Sequence, residues 1–208
     1  VYERFNEIDF SYEFPDCWYQ EYESGTADIS FEDSGDNPSL LHDWGGLGRM
    51  VFWNSHDYPN GAQTRLVSKA MNTVGNPEME LNFNWYHWSA GGELFYTTEG
   101  VELQYSTDGS TWTSFDTIRN YNSVDGWDFK QIDLPPDFGE QPSVQLGFLF
   151  TSNNGFNCYM DDVVIKPKST CTVPYDIEIQ YLDTSRVDLS WLSSLTGANY
   201  EYELRTEG

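Results

Sequence analysis

Apolar and polar side chains alternate with a period of two along most of the chain. The clearest run is 79–86, where Met79, Leu81, Phe83 and Trp85 alternate with Glu80, Asn82, Asn84 and Tyr86. That period belongs to a strand with one buried face. Shorter runs at 1–6, 17–23, 49–53, 63–68, 100–108 and 127–134 read the same way. Asp108-Gly109, followed by Thr111-Trp112-Thr113, predicts a β-hairpin. Segment 32–48, EDSGDNPSLLHDWGGLG, is dense in turn formers and predicts a long loop, a kind of segment that often carries function. No stretch has a helical period. Roughly eight to ten strands separated by turns predict an all-β chain, an antiparallel sandwich or jelly roll.

Segment 142–167 holds the sharpest anomaly. Val144, Leu146, Phe148 and Phe150 alternate with Gln145, Gly147 and Leu149, and an Asn-Gly turn leads to a second strand at 159–165. That second strand is apolar except for Asp161-Asp162. Adjacent carboxylates repel each other and resist burial, so something must compensate them. A bound cation would do so. The alternative is that one aspartate faces solvent while the other accepts a hydrogen bond from loop backbone.

Composition narrows the partners. The 208 residues include 8 Trp, 14 Tyr and 13 Phe, enough rings for a core and a binding face. Against 34 acids stand 10 bases, a net charge of −24. Such a field repels nucleic acid, anionic lipid and sulfated glycans, leaving neutral glycans, cations and other proteins. The plainer alternative is that the acid excess only keeps a salt-exposed extracellular protein soluble. No apolar run approaches the ~20 residues of a membrane span, so no membrane insertion is expected. The chain opens directly on the strand pattern VYERFNE, as a processed or trimmed chain would.

After Pro167 the character changes. Strands are expected at 176–181, 187–191 and 200–205, too few to close a sandwich, so this second unit reads as incomplete and the chain as part of a longer one. Cys17, Cys158 and Cys171 show no CxxC or zinc-ligand spacing. They fit one disulfide and one thiol in a secreted chain, or three free thiols. Cys17 and Cys158 both lie near strand ends that could be neighbours.

Aromatic residues with polar neighbours are candidates for stacking on sugar rings. They are Trp44 beside His42 and Asp43, Trp53 near His56 and Tyr58, Trp88 after Tyr86 and His87, and Tyr121 between Asn120 and Asn122. Trp18, Trp85, Trp112, Trp127 and Trp191 occupy strand positions that read as core. Catalytic signatures are missing: there is no HExxH, no GxSxG and no phosphate-cradling loop. Among 34 acids, carboxylate pairs arise by chance and carry no weight. The expectation is a protein that is not an enzyme.

Several landmarks, in order, resemble the MAM domain, an extracellular jelly roll. They are Cys17-Trp18 with Gln20, the Asp43-Trp44-Gly45-Gly46-Leu47-Gly48 loop and Thr64-Arg65-Leu66-Val67-Ser68. Trp85-Tyr86-His87 followed by 100–108 resembles that family's central hairpin, and Gly126-Trp127 and Asp161-Asp162-Val163 complete the set. With Tyr105 to Gly109, the chain also resembles the cleaved-adhesin-like jelly rolls of Bacteroidetes surface proteins. This likeness spans 1–168. Residues 172–208 resemble the opening of a fibronectin type III domain.

The resemblance implies a structural calcium where the first and last strands lie side by side. Its ligands would come from Glu3 or Asn6, Asp43, and Asp161 or Asp162, although Asn6 stands where an acid is usual. It also implies a Cys17–Cys171 disulfide, while the vertebrate cysteine set is absent. The function implied is a non-catalytic adhesion or recognition module, secreted or at the cell surface, that binds a glycan or surface protein. A carbohydrate-binding module attached to a polysaccharide-degrading enzyme is the alternative.

Overall fold

The computed structural model describes residues 1–5, 7–37, 39–40, 43–44, 48–88, 99–121, 125–168, 175–182 and 187–192. Two compact units divide the chain, Val1–Pro167 and Lys168–Gly208.

The first unit is a sandwich of two antiparallel sheets, with strands numbered here in chain order. One sheet runs β3 (Ser30–Glu32), β4 (Met50–Trp53), β11 (Cys158–Pro167), β6 (Met79–His87), β9 (Gly126–Asp133), and β1 (Tyr2–Glu3) also pairs with β11. The other runs β2 (Tyr19–Ser24), β5 (Gln63–Val67), β10 (Gln145–Thr151), β7 (Gly100–Ser106), β8 (Thr113–Arg119). Among the described residues the only helical element is one 3-10 turn, Pro136–Phe138, which follows Pro135.

The alternating rows meet between the sheets. Val144, Leu146, Phe148 and Phe150 are buried, as are Met79, Leu81, Phe83 and Trp85. Phe150 stacks on Trp53 and Trp85, with ring centroids 5.9 Å and 6.2 Å away, and Phe83 meets Phe148 edge-on at 5.9 Å. Removing each such ring from water contributes about 1.5–3 kcal/mol.

The β7–β8 hairpin forms where predicted. Asp108 accepts hydrogen bonds from the N–H groups of Ser110 and Thr111, at 2.8 and 2.7 Å, and Gly109 supplies the left-handed φ of 73°.

Three expectations need correction. The strands β10 and β11 flanking the Asn-Gly turn lie in opposite sheets, as do β4 and β5, and β6 and β7. The central hairpin implied by the resemblance is therefore not formed, because consecutive strands cross between layers. The polar side of β6 is not solvated either. Glu80, Asn82 and Asn84 are buried, since Lys166 and Gln131 from flanking strands reach Glu80 at 3.0 and 3.1 Å. Finally, the strand expected at 1–6 is only two residues long, because Phe5 turns away at φ 59° and enters the core.

In the second unit, β12 (Tyr175–Leu182) and β13 (Val187–Leu192) form an antiparallel pair. The strand expected at 200–205, and the side chain of Trp191, lie outside the described residues.

Candidate functional site

Along one edge, β11 changes partner. Cys158 to Met160 pair with β4, Val163 and Val164 pair with Glu3 and Tyr2 of β1, and Asp161-Asp162 fall in the gap between them. On the other edge the register to β6 slips between Asp161 and Val164, and Asp162 takes φ 53°. This is a β-bulge, which re-aims side chains locally. The first and last strands of the jelly roll are thus neighbours. Val1 seals them, its ammonium group donating to the Ile165 carbonyl at 2.7 Å and its carbonyl accepting the Ile165 N–H at 2.8 Å.

The two aspartates behave differently. Asp161 is buried; its Oδ2 accepts the backbone N–H of Trp44 at 3.2 Å and its Oδ1 that of Asp162 at 2.7 Å. Burial pushes its carboxyl up to about 7; the neighbouring charges of Asp162 and Asp43 add to this, while the two amides oppose it. Asp162 is partly exposed, 3.9 Å from the Arg4 guanidinium and 3.4 Å from Asn84 Nδ2. Its carboxyl is also raised by burial, with Arg4 opposing. This is the arrangement in which one aspartate captures loop backbone and the other turns toward solvent. Asp43 is buried too and accepts the Gly48 N–H at 3.1 Å, and Glu3 accepts that of Phe5 at 3.0 Å.

The carboxylates of this seam are of the donor type that calcium takes together with carbonyl and amide oxygens, although N–H groups and the Arg4 guanidinium already engage them. However, among the described residues no three His, Cys, Asp or Glu side chains converge as a metal site. Asn6 lies outside the described residues.

The captured loop carries Trp44, which is 49% exposed. Its ring meets Trp127 edge-on at 6.2 Å; Trp127 meets Tyr86 at 5.5 Å, Tyr86 meets Tyr159 at 5.9 Å, and Tyr159 meets Phe52 at 5.5 Å. Register explains this rank. Phe52 is opposite Tyr159 and Tyr86 opposite Trp127, so all four project from the outer face of the six-stranded sheet. Leu40 and Met50 cover the Phe52 end, where the Tyr159 hydroxyl donates to the Asp36 carbonyl.

Among the described residues the Trp127 end stays open. There Phe129 is 59% exposed opposite Asn84, and Gln131 lies opposite Asn82. Asn82 Oδ1 and Trp127 Nε1 are buried without a hydrogen-bond partner. The face thus sets apolar rings beside carboxamides. Trp127 was expected in the core, and Phe129 and Tyr86 were not singled out. Their signal was parity, since Trp127, Phe129 and Gln131 share one side of β9.

The other candidates do not join Trp44. Trp53 is fully buried between Tyr58 and Phe150 and has no face to present. Tyr121 is also buried, its hydroxyl donating to Glu99 at 2.5 Å. Trp88 is half-buried beside Tyr121 and packs on Phe156 at 5.3 Å. Trp112, expected in the core, instead lies on the outer face of the five-stranded sheet, with the Arg65 guanidinium 4.6 Å from its ring. His42 and Asn122 lie outside the described residues.

Cys17 is exposed and Cys158 buried, and no disulfide joins the two. Cys171, and with it the Cys17–Cys171 pairing, lies outside the described residues.

No protein-family model matches the chain. No curated protein matches it either. Solved structures do. The K1 cleaved adhesin domain of Lys-gingipain from Porphyromonas gingivalis W83 is 16% identical, with TM-score 0.53 over 81% of this chain and 98% of that one. The K3 cleaved adhesin domain of the same protein is 16% identical, with TM-score 0.52 over 79% of this chain and 95% of that one. An arabinose-bound α-L-arabinofuranosidase is 10% identical, with TM-score 0.52 over 79% of this chain and 25% of that one. At such identities the likeness is one of fold: this chain has the β-sandwich of a cleaved adhesin domain.

Proposed function

We propose that residues 1–167 form a non-catalytic, extracellular recognition module that adheres to a neutral glycan through the open end of the outer face. One observation carries this reading: the exposed rings of Trp44 and Phe129 flank half-buried Trp127 beside Asn82, Asn84 and Gln131. Rings supply an apolar platform for the C–H face of a sugar, and the exposed Gln131 carboxamide both donates and accepts for its hydroxyls. The net charge of −24 selects against anionic glycans. No helix among the described residues is long and apolar enough to cross a membrane.

Calcium belongs to this reading as a stiffener of the seam. Asp161 and Asp162 with Asp43, and Glu3 across from Val163, would contribute ligands, together with Asn6 and backbone carbonyls. Burial, with the charge of neighbouring carboxylates adding to it, raises Asp161 and Asp162, and a cation there would relieve that cost. The ion would supply positive charge and no chemistry.

The same exposed rings favour a second reading, a carbohydrate-binding module tethered to a polysaccharide-degrading enzyme. The two differ in what the longer chain carries, so its remaining domains decide between them. Affinity electrophoresis through gels containing neutral polysaccharides tests what both share. Retardation by at least one polysaccharide is expected, lost on Trp44→Ala and weakened on Phe129→Ala. No retardation by any, or retardation unchanged in both variants, overturns the proposal.

A further inference from the structure

A cleft of about 300 Å³ opens between residues 24–27 and 58–62, lined by none of the residues of the acidic seam or outer face. It lies at the small end of ligand pockets, the size for one ring rather than a chain.

Its walls are fixed. Thr64 Oγ1 donates to the Ala27 carbonyl at 2.6 Å, and the Tyr58 hydroxyl to the Asp28 carbonyl at 2.7 Å. The Gly61 N–H reaches the Ser152 carbonyl at 2.9 Å, and Asn154 Nδ2 holds the Tyr58 carbonyl at 2.6 Å. Gly61, at φ 83°, leaves its Cβ direction open, so a ligand can approach the backbone. A cleft held in this way loses little entropy on binding.

Its lining and rim set the chemistry. Exposed Ser24, Thr26 and Asn60 offer hydroxyl and carboxamide groups. Tyr12 and Tyr22, 67% and 49% exposed, stand near enough to act electrostatically on Tyr58. Tyr22 OH and Gln20 Nε2 both donate to Oδ1 of Asp28, whose carbonyl in turn holds the Tyr58 hydroxyl of the wall. A polyhydroxylated ring satisfies these groups. An anion is opposed by Asp28, and an apolar ligand would strand the polar ones.

We propose that this cleft is a second glycan subsite, taking the terminal residue of a neutral glycan independently of the outer face. The test is amide NMR on the 208-residue chain. It is titrated separately with glucose, galactose, mannose, xylose, arabinose, fucose and N-acetylglucosamine at millimolar concentrations, the range of weak single-site binding. At least one sugar is expected to shift the Gly25, Thr26, Gly61 and Ala62 amides saturably, and glucuronate to leave them in place.

Thr26→Trp should abolish the shifts by filling the cleft. Tyr22→Ala should weaken binding several-fold, and Trp44→Ala should leave it unchanged. Both Thr26 and Tyr22 are exposed, and Tyr22→Ala carries the test alone if Thr26→Trp does not fold. Silence of those amides with every neutral sugar, shifts that survive both cleft variants, shifts lost with Trp44→Ala, or equal binding of glucuronate would each overturn the assignment. Because Trp44→Ala reads only the outer face, failure at one site is distinguishable from failure at the other.

Discussion

The backbone N–H of Trp44 donates to Oδ2 of Asp161 at 3.2 Å, across 117 positions of sequence. A buried strand carboxylate therefore fixes the loop that presents the most exposed tryptophan on the outer face. Burial and two neighbouring carboxylates meanwhile disfavour its charge. Seam and presented ring are one device.

Asp161→Asn removes the charge while its amide oxygen can still accept from Trp44; its NH2 group then faces the Asp162 N–H, which offsets part of the gain. In chelator, at pH 8, the Asn variant is expected to melt a few degrees above the parent, since each unit of upward pKa shift corresponds to ~1.4 kcal/mol. Adding calcium should raise the parent's melting temperature and leave the Asn variant nearly unmoved. An equal response of both, or of neither, would remove calcium from the seam.

How much of this was legible beforehand depended on the kind of contact. Rows such as Phe83 with Trp85 and Phe148 with Phe150 were readable because burial imposes period two. Sheet membership was not, because alternation marks the buried face of β10 and β11 without saying that they lie in opposite layers. The Asp161-Asp162 anomaly was visible as misplaced charge, but its partner was a backbone amide in a loop, and any residue type supplies one. Trp53 misled because polar neighbours in sequence, such as His56, do not share its direction. Trp127 misled in the opposite way, being a strand tryptophan on an edge strand's outer face.

The outer face of the five-stranded sheet offers a packing test at Gly147. A Cβ there would lie 2.8 Å from both Arg65 Cδ and Trp112 Cζ3. Arg65 cannot move freely, since Glu21, Glu23 and Gln104 hold it at 2.8, 3.0 and 2.7 Å. Gly147→Ala should therefore displace the Trp112 ring and cost about 1–3 kcal/mol in urea unfolding, as overpacking does. Restored stability in Gly147→Ala/Trp112→Ala would identify the ring as the obstacle. A neutral single variant would show that Trp112 does not rest there.

Glu99 is a buried carboxylate served by four donors: the hydroxyls of Ser55 and Tyr121 and the N–H groups of Gly155 and Phe156 at 3.0 Å. Glu99→Gln would turn an NH2 group toward two of those donors. The expected cost is about 2–4 kcal/mol, from unpaired buried polar groups. Hydrogen exchange should quicken first at Gly155 and Phe156, in the crossing between β10 and β11. Uniform quickening across the sandwich would contradict this local role.

Two buried groups should tilt the pH dependence of stability in opposite directions. His87 is buried, and its Nε2 lies 3.4 Å from Asp128 Oδ2. Burial lowers its pKa, Lys130 adds to this, and Asp128 opposes it. The unfolded chain then binds a proton that the fold resists, so this contribution is intact above about pH 6.5 and is lost as pH falls toward the folded pKa. Asp161 has the reverse sign. Its folded pKa of about 7 lies above the unfolded value, so without metal it destabilises progressively as pH rises from about 4 to 7. Melting curves in chelator should therefore show His87→Gln gaining on the parent toward pH 5, and Asp161→Asn gaining toward pH 8. Parallel curves for His87→Gln and the parent would mean that the histidine titrates alike in both states, and that its burial costs nothing.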